Sequence, residues 1–327
     1  MHLEVSVIIP AYNTESYIAQ AIESALGQTQ KNIEVIVVDD ASSDATLEVA
    51  KGFSDNRLKV FVNQQNLGAG GARNHALREA KGKWIAVLDS DDWYAPERLE
   101  KLLQVAYAED ADLVADDLYL VQDGEKSPLG TWLSWSGEQI DNIRQIDLIH
   151  FVETDRYGQR SLRLGISKPL IKRDFLIQHG IEYDETLRMG QDFWLYIKCL
   201  VNGSRFVLVP KAYYFYRSRK GSLVTQSQLE RLNQYCQVTV HFLEQEFVQQ
   251  NSELVRVLSE NLAILEKNRS YYRVVDPLKQ RAWLAALIEM KHNPYWWVYL
   301  IRKLPGILNR SVSYYILGNK SAYAPWK

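Results

Sequence analysis

The sequence predicts an α/β fold: a doubly wound, mostly parallel sheet followed by a helical C-terminal region. Short apolar runs alternate with helical segments roughly every 25 residues in the first part of the chain, which is typical of parallel strands joined by helices. From residue 229 onward, apolar residues recur instead at three- and four-residue steps, as they do along a helix. We therefore expect a sheet domain over residues 1–222 and a helical region over residues 223–327.

Five apolar runs are the predicted strands. Their continuous apolar character indicates strands that are buried on both faces, as in a parallel sheet. They cover residues 5–9, 33–38, 58–62, 85–88 and 113–115. Helices are predicted between them, over residues 18–28, 45–53, 72–80 and about 96–107.

Composition narrows the class of protein. The 327 residues carry a formal net charge of −2, so nothing indicates nucleic acid as the main partner. Two cysteines, Cys199 and Cys236, offer neither a disulfide framework nor the spacing of metal ligands, and they fit a reducing cytosol. The chain enters an apolar strand almost at once, and no apolar run approaches the ~18 residues of a membrane span. We expect a cytoplasmic protein without a signal peptide.

Three carboxylates follow the fourth predicted strand: Asp89, Asp91 and Asp92. The carboxyl ends of strands in an open α/β sheet form the ligand crevice. Acids crowded there repel one another, and oxygen ligands suit Mg²⁺ or Mn²⁺, which also binds substrate phosphates. The alternative is a helix N-cap in a solvated acidic loop. The sequence thus indicates a metal-phosphate site without excluding a structural turn.

A second acid pair, Asp39 and Asp40, follows the second strand. Both strand ends open onto the same edge of a parallel sheet, so one pair can face a base or a ribose hydroxyl and the other a metal-bound diphosphate. Tyr12, at the end of the first strand, offers an aromatic face on which a base can stack. Ordinary packing at the sheet edge is the alternative for Tyr12.

A glycine cluster, residues 68–71, precedes the third predicted helix. It does not match the dinucleotide fingerprint, which belongs after the first strand and needs a third glycine where Arg73 stands. A tight turn that directs Arg73 and the helix N-terminus towards a phosphate is the interpretation we favour. A plain surface charge is the alternative for Arg73.

Four motifs in register resemble the glycosyltransferase family 2 pattern on a GT-A fold. They are PAYN (10–13), VVDDAS (37–42), GAGGARNHAL (68–77) and LDSDDW (88–93). The resemblance covers about residues 3–220. It implies a nucleotide-diphosphate sugar as donor, a divalent cation (Mn²⁺ or Mg²⁺) at the Asp-x-Asp element, and inversion at the anomeric carbon of the sugar.

The resemblance also implies which residues bind the donor and the metal. Matched position by position, they are Pro10, Tyr12, Asp39 and Asp40 at the nucleoside, Arg73 near the nucleotide, Asp91 as the metal ligand, and Asp89 and Asp92 beside it. A basic loop after residue 216, containing Arg217, Arg219 and Lys220, resembles the closing segment of the family. Arg217 is its best positional match for a group that offsets the charge of the departing diphosphate.

The family's catalytic acid lies in a Gly-Glu-Asp-like element, and MGQDFWLYIKCL (189–200) resembles it. Asp192 takes the position of the base, whereas Gln191 replaces the usual Glu. An inverting transfer needs a base opposite the leaving diphosphate to accept the proton of the acceptor hydroxyl. The alternative is that Asp192 caps a helix, since Asp is a favoured N-cap residue.

The C-terminal tail, residues 293–327, differs in charge from the rest of the chain. Glu289 is the last acid, and six Lys or Arg and eight aromatic residues follow Met290. Tryptophan and tyrosine favour the headgroup level of a bilayer, and basic residues favour anionic lipid. The tail predicts either a peripheral helix on the cytoplasmic face of a membrane or a segment packed on its own domain or across a homodimer.

Together these features predict an inverting, metal-dependent glycosyltransferase that uses a UDP-sugar. We expect its acceptor to be a glycan or a lipid-linked sugar in the assembly of a surface polysaccharide. A nucleotide-sugar-binding module with little or no turnover is the alternative, and Gln191 is the residue that suggests it. A dinucleotide oxidoreductase is not supported because its glycine fingerprint is missing after the first strand.

Overall fold

The computed structural model describes residues 3–125, 127–158, 161–219, 228–293, 296–298, 301 and 304–306. The chain divides into two units, Met1–Thr225 with Leu243–Leu258, and Gln226–Phe242 with Ser259–Lys327. The predicted boundary after residue 222 stays a prediction, because the first of these units also includes a later segment.

The first unit is built on one mixed sheet. Its strands are β1 (Val5–Ala11), β2 (Ile33–Asp39), β3 (Leu58–Val62), β4 (Trp84–Val87), β5 (Trp93–Tyr94), β6 (Leu113–Gln122), β7 (Gly130–Thr131), β8 (Arg144–Ile146), β9 (Leu170–Lys172) and β10 (Phe206–Ser218). They lie in the order β3-β2-β1-β4-β9-β6-β10-β5, with β7 paired to β6 and β8 to β10.

The sheet is parallel where the sequence predicts it. β1 runs parallel to β2 and β4, β2 to β3, and β6 to β10. β9 is antiparallel to both of its neighbours, β4 and β6, and therefore enters the sheet from the edge at which β4 ends. The predicted α/β class is confirmed, and β9 is an addition that the sequence analysis missed.

Helices lie between most of the strands of this unit along the chain. They are α1 (Ile18–Leu26), α2 (Thr46–Lys51), α3 (Gly68–Glu79), α4 (Arg98–Ala108), α5 (Trp132–Ser136), α6 (Leu148–Thr154), α7 (Arg173–Gln178), α8 (Gln191–Val201) and α10 (Glu246–Gln249), with a 3₁₀ turn at Leu164–Ile166. The buried face of α1 is Ile18, Ala21, Ile22 and Ala25, as its apolar spacing predicts.

Two predicted boundaries are wrong. α3 begins at Gly68, so the glycine cluster forms its first turn and does not precede it. β6 continues to Gln122, although its apolar run ends at residue 115, because β10 pairs with it along its whole length. In both places a distant part of the chain extends the element beyond its local signal.

A buried ion pair joins α4 to β6. Arg98, in the first turn of α4, donates from Nη2 to Oδ1 of Asp116 at 2.7 Å, and both side chains are fully buried. Its guanidinium also lies over the ring of Tyr94, 4.4 Å from the centroid. Arg98 Nη2 donates a further hydrogen bond to the backbone carbonyl of Lys168. The pair thus fixes the segment that leads into β9.

The remaining helices are α9 (Gln228–Leu243), α11 (Ser252–Lys279) and α12 (Trp283–His292). The predicted helical C-terminal region is present. Within the described residues, no helix has both the length and the apolar character needed to cross a membrane.

Candidate active site

The carboxyl ends of β1, β2 and β4 form one edge of the sheet. The backbone N–H of Asp40 donates to the carbonyl of Ala11 at 2.8 Å, and that of Leu88 donates to the carbonyl of Ile8 at 3.0 Å. The residues that follow the three strands therefore start from neighbouring positions, as expected for an open α/β sheet.

The end of β1 presents an exposed ring. Pro10 pairs in register with β2, and β1 pairs with β4 only as far as Ile8, so Pro10 lies beyond the end of that second ladder. Tyr12 follows the strand and is 49 % exposed. Oδ1 of Asn13 accepts the N–H of Ser43 at 2.8 Å, which joins the loop after β1 to the loop after β2. The Tyr12 ring is thus available to a planar ligand.

Asp40 binds the chain that leads into α3. Its carboxylate accepts the N–H groups of Leu67 and Gly68 at 3.0 and 2.8 Å, and the side-chain amide of Asn63 at 2.7 Å. It thereby satisfies donors at the start of α3, which would otherwise have no partner. This remote cap explains why the helix begins at Gly68 and not at Ala72.

Asp39 is buried and only partly hydrogen-bonded. Its Oδ2 accepts the N–H of Ser42 at 3.1 Å. Among the described residues, nothing donates to its Oδ1. A buried acceptor without a donor is costly, so Oδ1 is the oxygen of this acid pair that a ligand N–H can satisfy.

Asp89 lies between two cations. Its Oδ1 is 2.6 Å from Nη2 of Arg73, and its Oδ2 is 3.1 Å from Nζ of Lys168. Burial opposes ionisation of this carboxyl, but Lys168 and Arg73 outweigh it and hold the pKa of Asp89 below its usual value. Asp89 is therefore ionised, and it neutralises charge within the site.

Asp91 pairs with an arginine of the predicted basic loop. Nε of Arg219 donates to its Oδ2 at 2.6 Å, and both side chains keep nearly a fifth of their surface exposed. Among the described residues, no three His, Cys, Asp or Glu side chains converge as a metal cage. Mg²⁺ needs only one or two protein carboxylates when substrate phosphates supply further oxygens. Asp91, as an accessible hard-oxygen ligand, fits a divalent cation on those terms.

Asp92 turns into the protein. Its oxygens accept the hydroxyl of Tyr214 and the backbone N–H of Arg217, each at 2.7 Å. Burial, and then the charges of Asp91 and Asp89, raise the pKa of Asp92 well above its usual value. Asp92 therefore joins the acidic loop to β10, and it does not face the same direction as Asp91.

Arg217 is held by several groups at once. Its Nε donates to the backbone carbonyl of Asp91 at 2.8 Å, and its Nη2 donates to Gln20 at 2.5 Å. The guanidinium also lies over the rings of Tyr17 and Trp93. In this arrangement Arg217 positions the Asp91 loop, and Arg219 is the arginine whose guanidinium meets a carboxylate of that loop.

Asp192 reaches the same edge from α8. Its Oδ2 is 2.5 Å from Nζ of Lys168, and its Oδ1 is 3.2 Å from Nη1 of Arg73. Oδ1 accepts no hydrogen bond from the described residues. The N-cap of α8 is Gly190, at φ 73°, and α8 has no side-chain cap. The carboxylate is thus directed to the ends of the strands and not to its own helix.

Gln191 takes part in this arrangement through Arg73. Its Oε1 accepts from Nη1 of Arg73 at 3.3 Å, and its Nε2 donates to the carbonyl of Leu187 at 2.5 Å. Arg73 is buried and its guanidinium also lies over the ring of Tyr183. Arg73 is therefore held between Asp89, which follows β4, and Asp192 of α8. The prediction from the sequence was that Arg73 faces a phosphate.

The sequence analysis missed two residues of this edge, Lys168 and Tyr214. Lys168 lies in the SKPL segment before β9, where no local pattern marks it. Burial alone would lower the pKa of Lys168, but Asp192 and Asp89 raise it, so the side chain is a cation. Tyr214 belongs to an aromatic run in β10, and nothing in that run distinguishes it from its aromatic neighbours.

Comparisons with known proteins concern the family and the fold of this chain. A family model described as glycosyl transferase family 2 matches residues 6–163. The succinoglycan biosynthesis protein ExoO of Rhizobium meliloti (strain 1021) is 32% identical over 293 residues, which are 89% of this chain and 82% of that protein. The Escherichia coli UDP-Glc:alpha-D-GlcNAc-diphosphoundecaprenol beta-1,3-glucosyltransferase WfaP is 40% identical over 119 residues, 36% of this chain and 47% of that protein.

Solved structures share the fold. The crystal structure of S. aureus TarS 1-349 in complex with UDP aligns with a TM-score of 0.60 at 21% identity, over 90% of this chain and 91% of that one. The extent of the match to ExoO, together with the family model, decides the assignment. The chain belongs to glycosyltransferase family 2 and is a glycosyltransferase.

Proposed function

We propose that this protein transfers a sugar, with inversion, from a UDP-sugar to a glycan or lipid-linked acceptor in a metal-dependent reaction. The observation that carries the proposal is that Asp192 and Asp89 both form ion pairs with the same two cations, Arg73 and Lys168. The Asp192 carboxylate of α8 thereby lies at the strand ends where a nucleotide-diphosphate is expected.

The nucleoside lies at the ends of β1 and β2 in this proposal. The exposed ring of Tyr12 stacks on the base. The buried Oδ1 of Asp39, to which no described residue donates, accepts an N–H of the base. Uracil has such an N–H, and TarS, a protein of the same fold, is known in complex with UDP. Pro10 and Asp40 shape this pocket by holding the backbone around it in place.

The diphosphate lies over the loop that carries Asp91. Asp91 would hold a divalent cation together with phosphate oxygens, and Mn²⁺ or Mg²⁺ would supply positive charge where the leaving group develops negative charge. Arg219, whose guanidinium pairs with Asp91, can turn to the departing diphosphate, and Lys220 of the same basic loop lies outside the described residues. Asp89, Asp92, Arg73 and Arg217 keep the loop in place.

Asp192 acts as the base of a single displacement. The acceptor hydroxyl gives its proton to Asp192 while its oxygen forms a bond to the anomeric carbon of the sugar. The bond from that carbon to the diphosphate breaks, and its electron pair leaves with UDP. Attack from the face opposite the leaving group inverts the anomeric carbon.

Relatives support a role in polysaccharide assembly. ExoO is named for succinoglycan biosynthesis, and WfaP is named for transfer of glucose to a diphosphoundecaprenol-linked sugar. We propose an acceptor of the same chemical class, a glycan chain or a lipid-linked saccharide. Such an acceptor lies at the cytoplasmic face of a membrane, where peripheral attachment of the enzyme keeps it beside its substrate.

The exposed apolar residues of α12 and of the described part of the tail are consistent with that attachment. α12 exposes Trp283, Leu284 and Leu287, and Trp297 and Ile301 are exposed in the tail. Trp296 differs, because it is buried and packs against Tyr271 with ring centroids 5.6 Å apart. Residues 294–295, 299–300, 302–303 and 307–327 lie outside the described residues. A homodimer through the same face is the competing arrangement.

The test is release of UDP from a panel of UDP-sugars, measured in Mn²⁺ with and without oligosaccharide or lipid-linked acceptors. We expect one donor to give UDP and a glycosylated product, and we expect UDP to be released faster when the acceptor is present. A protein that binds UDP-sugars but releases no UDP with any acceptor would instead be the binding module. Product anomeric configuration, read by NMR, decides between inversion and retention.

A further inference from the structure

Lys168 is a buried cation between two carboxylates of the candidate active site. It is 4 % exposed, and its Nζ lies 2.5 Å from Oδ2 of Asp192 and 3.1 Å from Oδ2 of Asp89. The two acids come from different elements, α8 and the end of β4. One ammonium group therefore joins the helix of the base to the strand end of the donor site.

The backbone around Lys168 is held on both sides. The hydroxyl of Tyr196 donates to the carbonyl of Ser167 at 2.9 Å, and Arg98 donates to the carbonyl of Lys168 itself. Tyr196 lies four residues after Asp192 on α8, hence on the same face of that helix. α8 thus binds the segment through Tyr196, and the segment returns Lys168 to Asp192.

Strand order explains how this residue reaches the site. β9 is antiparallel to β4, and Leu170 at its start pairs with Ala86 near the end of β4. Lys168 precedes this pair by two residues, so it lies beside the carboxyl end of β4. Pro169 restricts Lys168 to extended backbone, which continues the direction of the strand.

Asp192 has a competing position within its own helix. It lies in the first turn of α8, whose N-cap is Gly190 and which has no side-chain cap. The N–H groups of a first helical turn attract a nearby carboxylate. Lys168 makes the shorter of the two cation contacts of Asp192, 2.5 Å against 3.2 Å for Arg73. Without Lys168, the Asp192 carboxylate would turn towards those N–H groups and away from an acceptor hydroxyl.

We propose that Lys168 is a positioning residue of this reaction: its 2.5 Å contact with Oδ2 holds the Asp192 carboxylate at the strand ends, where Arg73 lies 3.2 Å from Oδ1. This inference rests on the proposed function, in which Asp192 is the base. Lys168 acts through Asp192 and does not contact the donor. The cation, and not the shape of the side chain, is what the site requires.

The kinetic test compares Lys168→Met, Lys168→Gln and Lys168→Arg with the wild type. We expect Met and Gln to lower kcat about 10²-fold, the scale of a displaced catalytic group, with unchanged UDP affinity. Arg keeps the charge and should recover most of the rate. In an Asp192→Asn background, Lys168→Met should cost little more, since residues that act as one unit are not additive. The inference would be overturned if UDP affinity fell by as much as kcat. It would also be overturned if the losses of kcat from Lys168→Met and Asp192→Asn were additive in the double variant.

A crystal structure of Lys168→Met gives a second answer that does not depend on turnover. The Asp192 carboxylate should be turned towards the first turn of α8; a carboxylate in its original place would contradict the inference. Urea unfolding of the Met and Gln variants checks that each retains the fold, and if one of them is unfolded the other is crystallised. If the wild type transfers no sugar, the proposed function fails while the crystal structure still decides the position of Asp192.

Discussion

Nε of Arg219 lies 2.6 Å from Oδ2 of Asp91, so a guanidinium meets the carboxylate that we assign to the metal. A divalent cation competes with the guanidinium for the charge of this carboxylate. Binding of metal and UDP should therefore release Arg219 from Asp91 and leave its charge to the diphosphate.

Replacing Asp91 tests the metal assignment. Asp91→Ala removes a partly exposed carboxylate, so the fold should persist while UDP binding in Mn²⁺ weakens by about tenfold or more. Asp55→Ala, which removes a carboxylate paired with Arg57 just before β3, is the matched control and should bind UDP normally. Isothermal titration measures both. Wild-type protein that binds UDP as tightly in a chelator as in Mn²⁺ would show that the assignment is wrong.

Replacing Asp192 tests the base. Asp192→Asn keeps the size and polarity of the side chain but removes the proton acceptor, and turnover should fall by about 10²- to 10⁴-fold. UDP affinity should change little, because the proposed donor pocket lies on β1, β2 and the Asp91 loop. Asp174→Asn, on the exposed face of α7, is the control. A variant that keeps nearly the full transfer rate would exclude Asp192 as the base.

The buried pair Arg98–Asp116 should matter for stability far more than a surface pair. Arg98→Met leaves the Asp116 carboxylate buried without its partner, which costs on the order of 3–5 kcal/mol in the free energy of unfolding. Arg144→Met, in the partly exposed pair with Glu138, should cost at most about 1 kcal/mol. Urea denaturation compares them. Equal losses would contradict the ranking.

Glu34 makes stability depend on pH. Burial opposes its ionisation, but hydrogen bonds from Lys59, Ser6 and the backbone N–H of Lys81 lower its pKa in the folded protein. A lowered folded pKa means that the carboxylate contributes stability above its unfolded pKa, and the contribution is lost as pH falls through the folded value.

Glu34→Gln should therefore be less stable than the wild type at neutral pH, with the difference shrinking below about pH 4. Urea unfolding at a series of pH values measures it. Glu48→Gln, on α2, is the control and should follow the wild-type profile. A Glu34→Gln difference that stays constant with pH would argue against the hydrogen-bonded carboxylate as its source.

The tail prediction is tested with liposomes. Full-length protein should sediment with anionic liposomes at low salt and less at high salt, because each Lys or Arg near an anionic leaflet contributes roughly 1 kcal/mol. A chain ending at Lys291 should sediment less. Substituting Trp283 and Leu287 by Ser tests the part that α12 plays. If both chain lengths sediment alike, or neither does, the tail is not the anchor, and sedimentation velocity then tests the homodimer.

Local patterns in the sequence determined the sheet-and-helix framework. β1 and β2 are buried throughout, as their continuous apolar runs predict, and the apolar face of α1 follows its helical spacing. Both signals depend only on near neighbours in the sequence. The acids that follow β2 and β4 were placed at one sheet edge for the same reason: parallel strands end on the same side.

Tertiary structure decided how these acids are used. The sequence grouped Asp89, Asp91 and Asp92, yet the first faces Arg73 and Lys168, the second Arg219, and the third Tyr214. Each of these partners except Arg73 comes from β9, β10 or the loops beside them, far along the chain. Spacing along the sequence carries no information on such contacts, because they depend on which strands become neighbours.

Lys168 illustrates this limit most clearly. Nothing in the SKPL segment distinguishes it from a surface lysine. It becomes a buried partner of Asp192 and Asp89 because β9, three residues long, inserts antiparallel between β4 and β6. The apolar runs of the sequence thus determined the strands and the edge at which the site lies. The insertion of β9 decided which cation stands between the two carboxylates, since only the folded sheet brings residues 89, 168 and 192 within hydrogen-bonding distance.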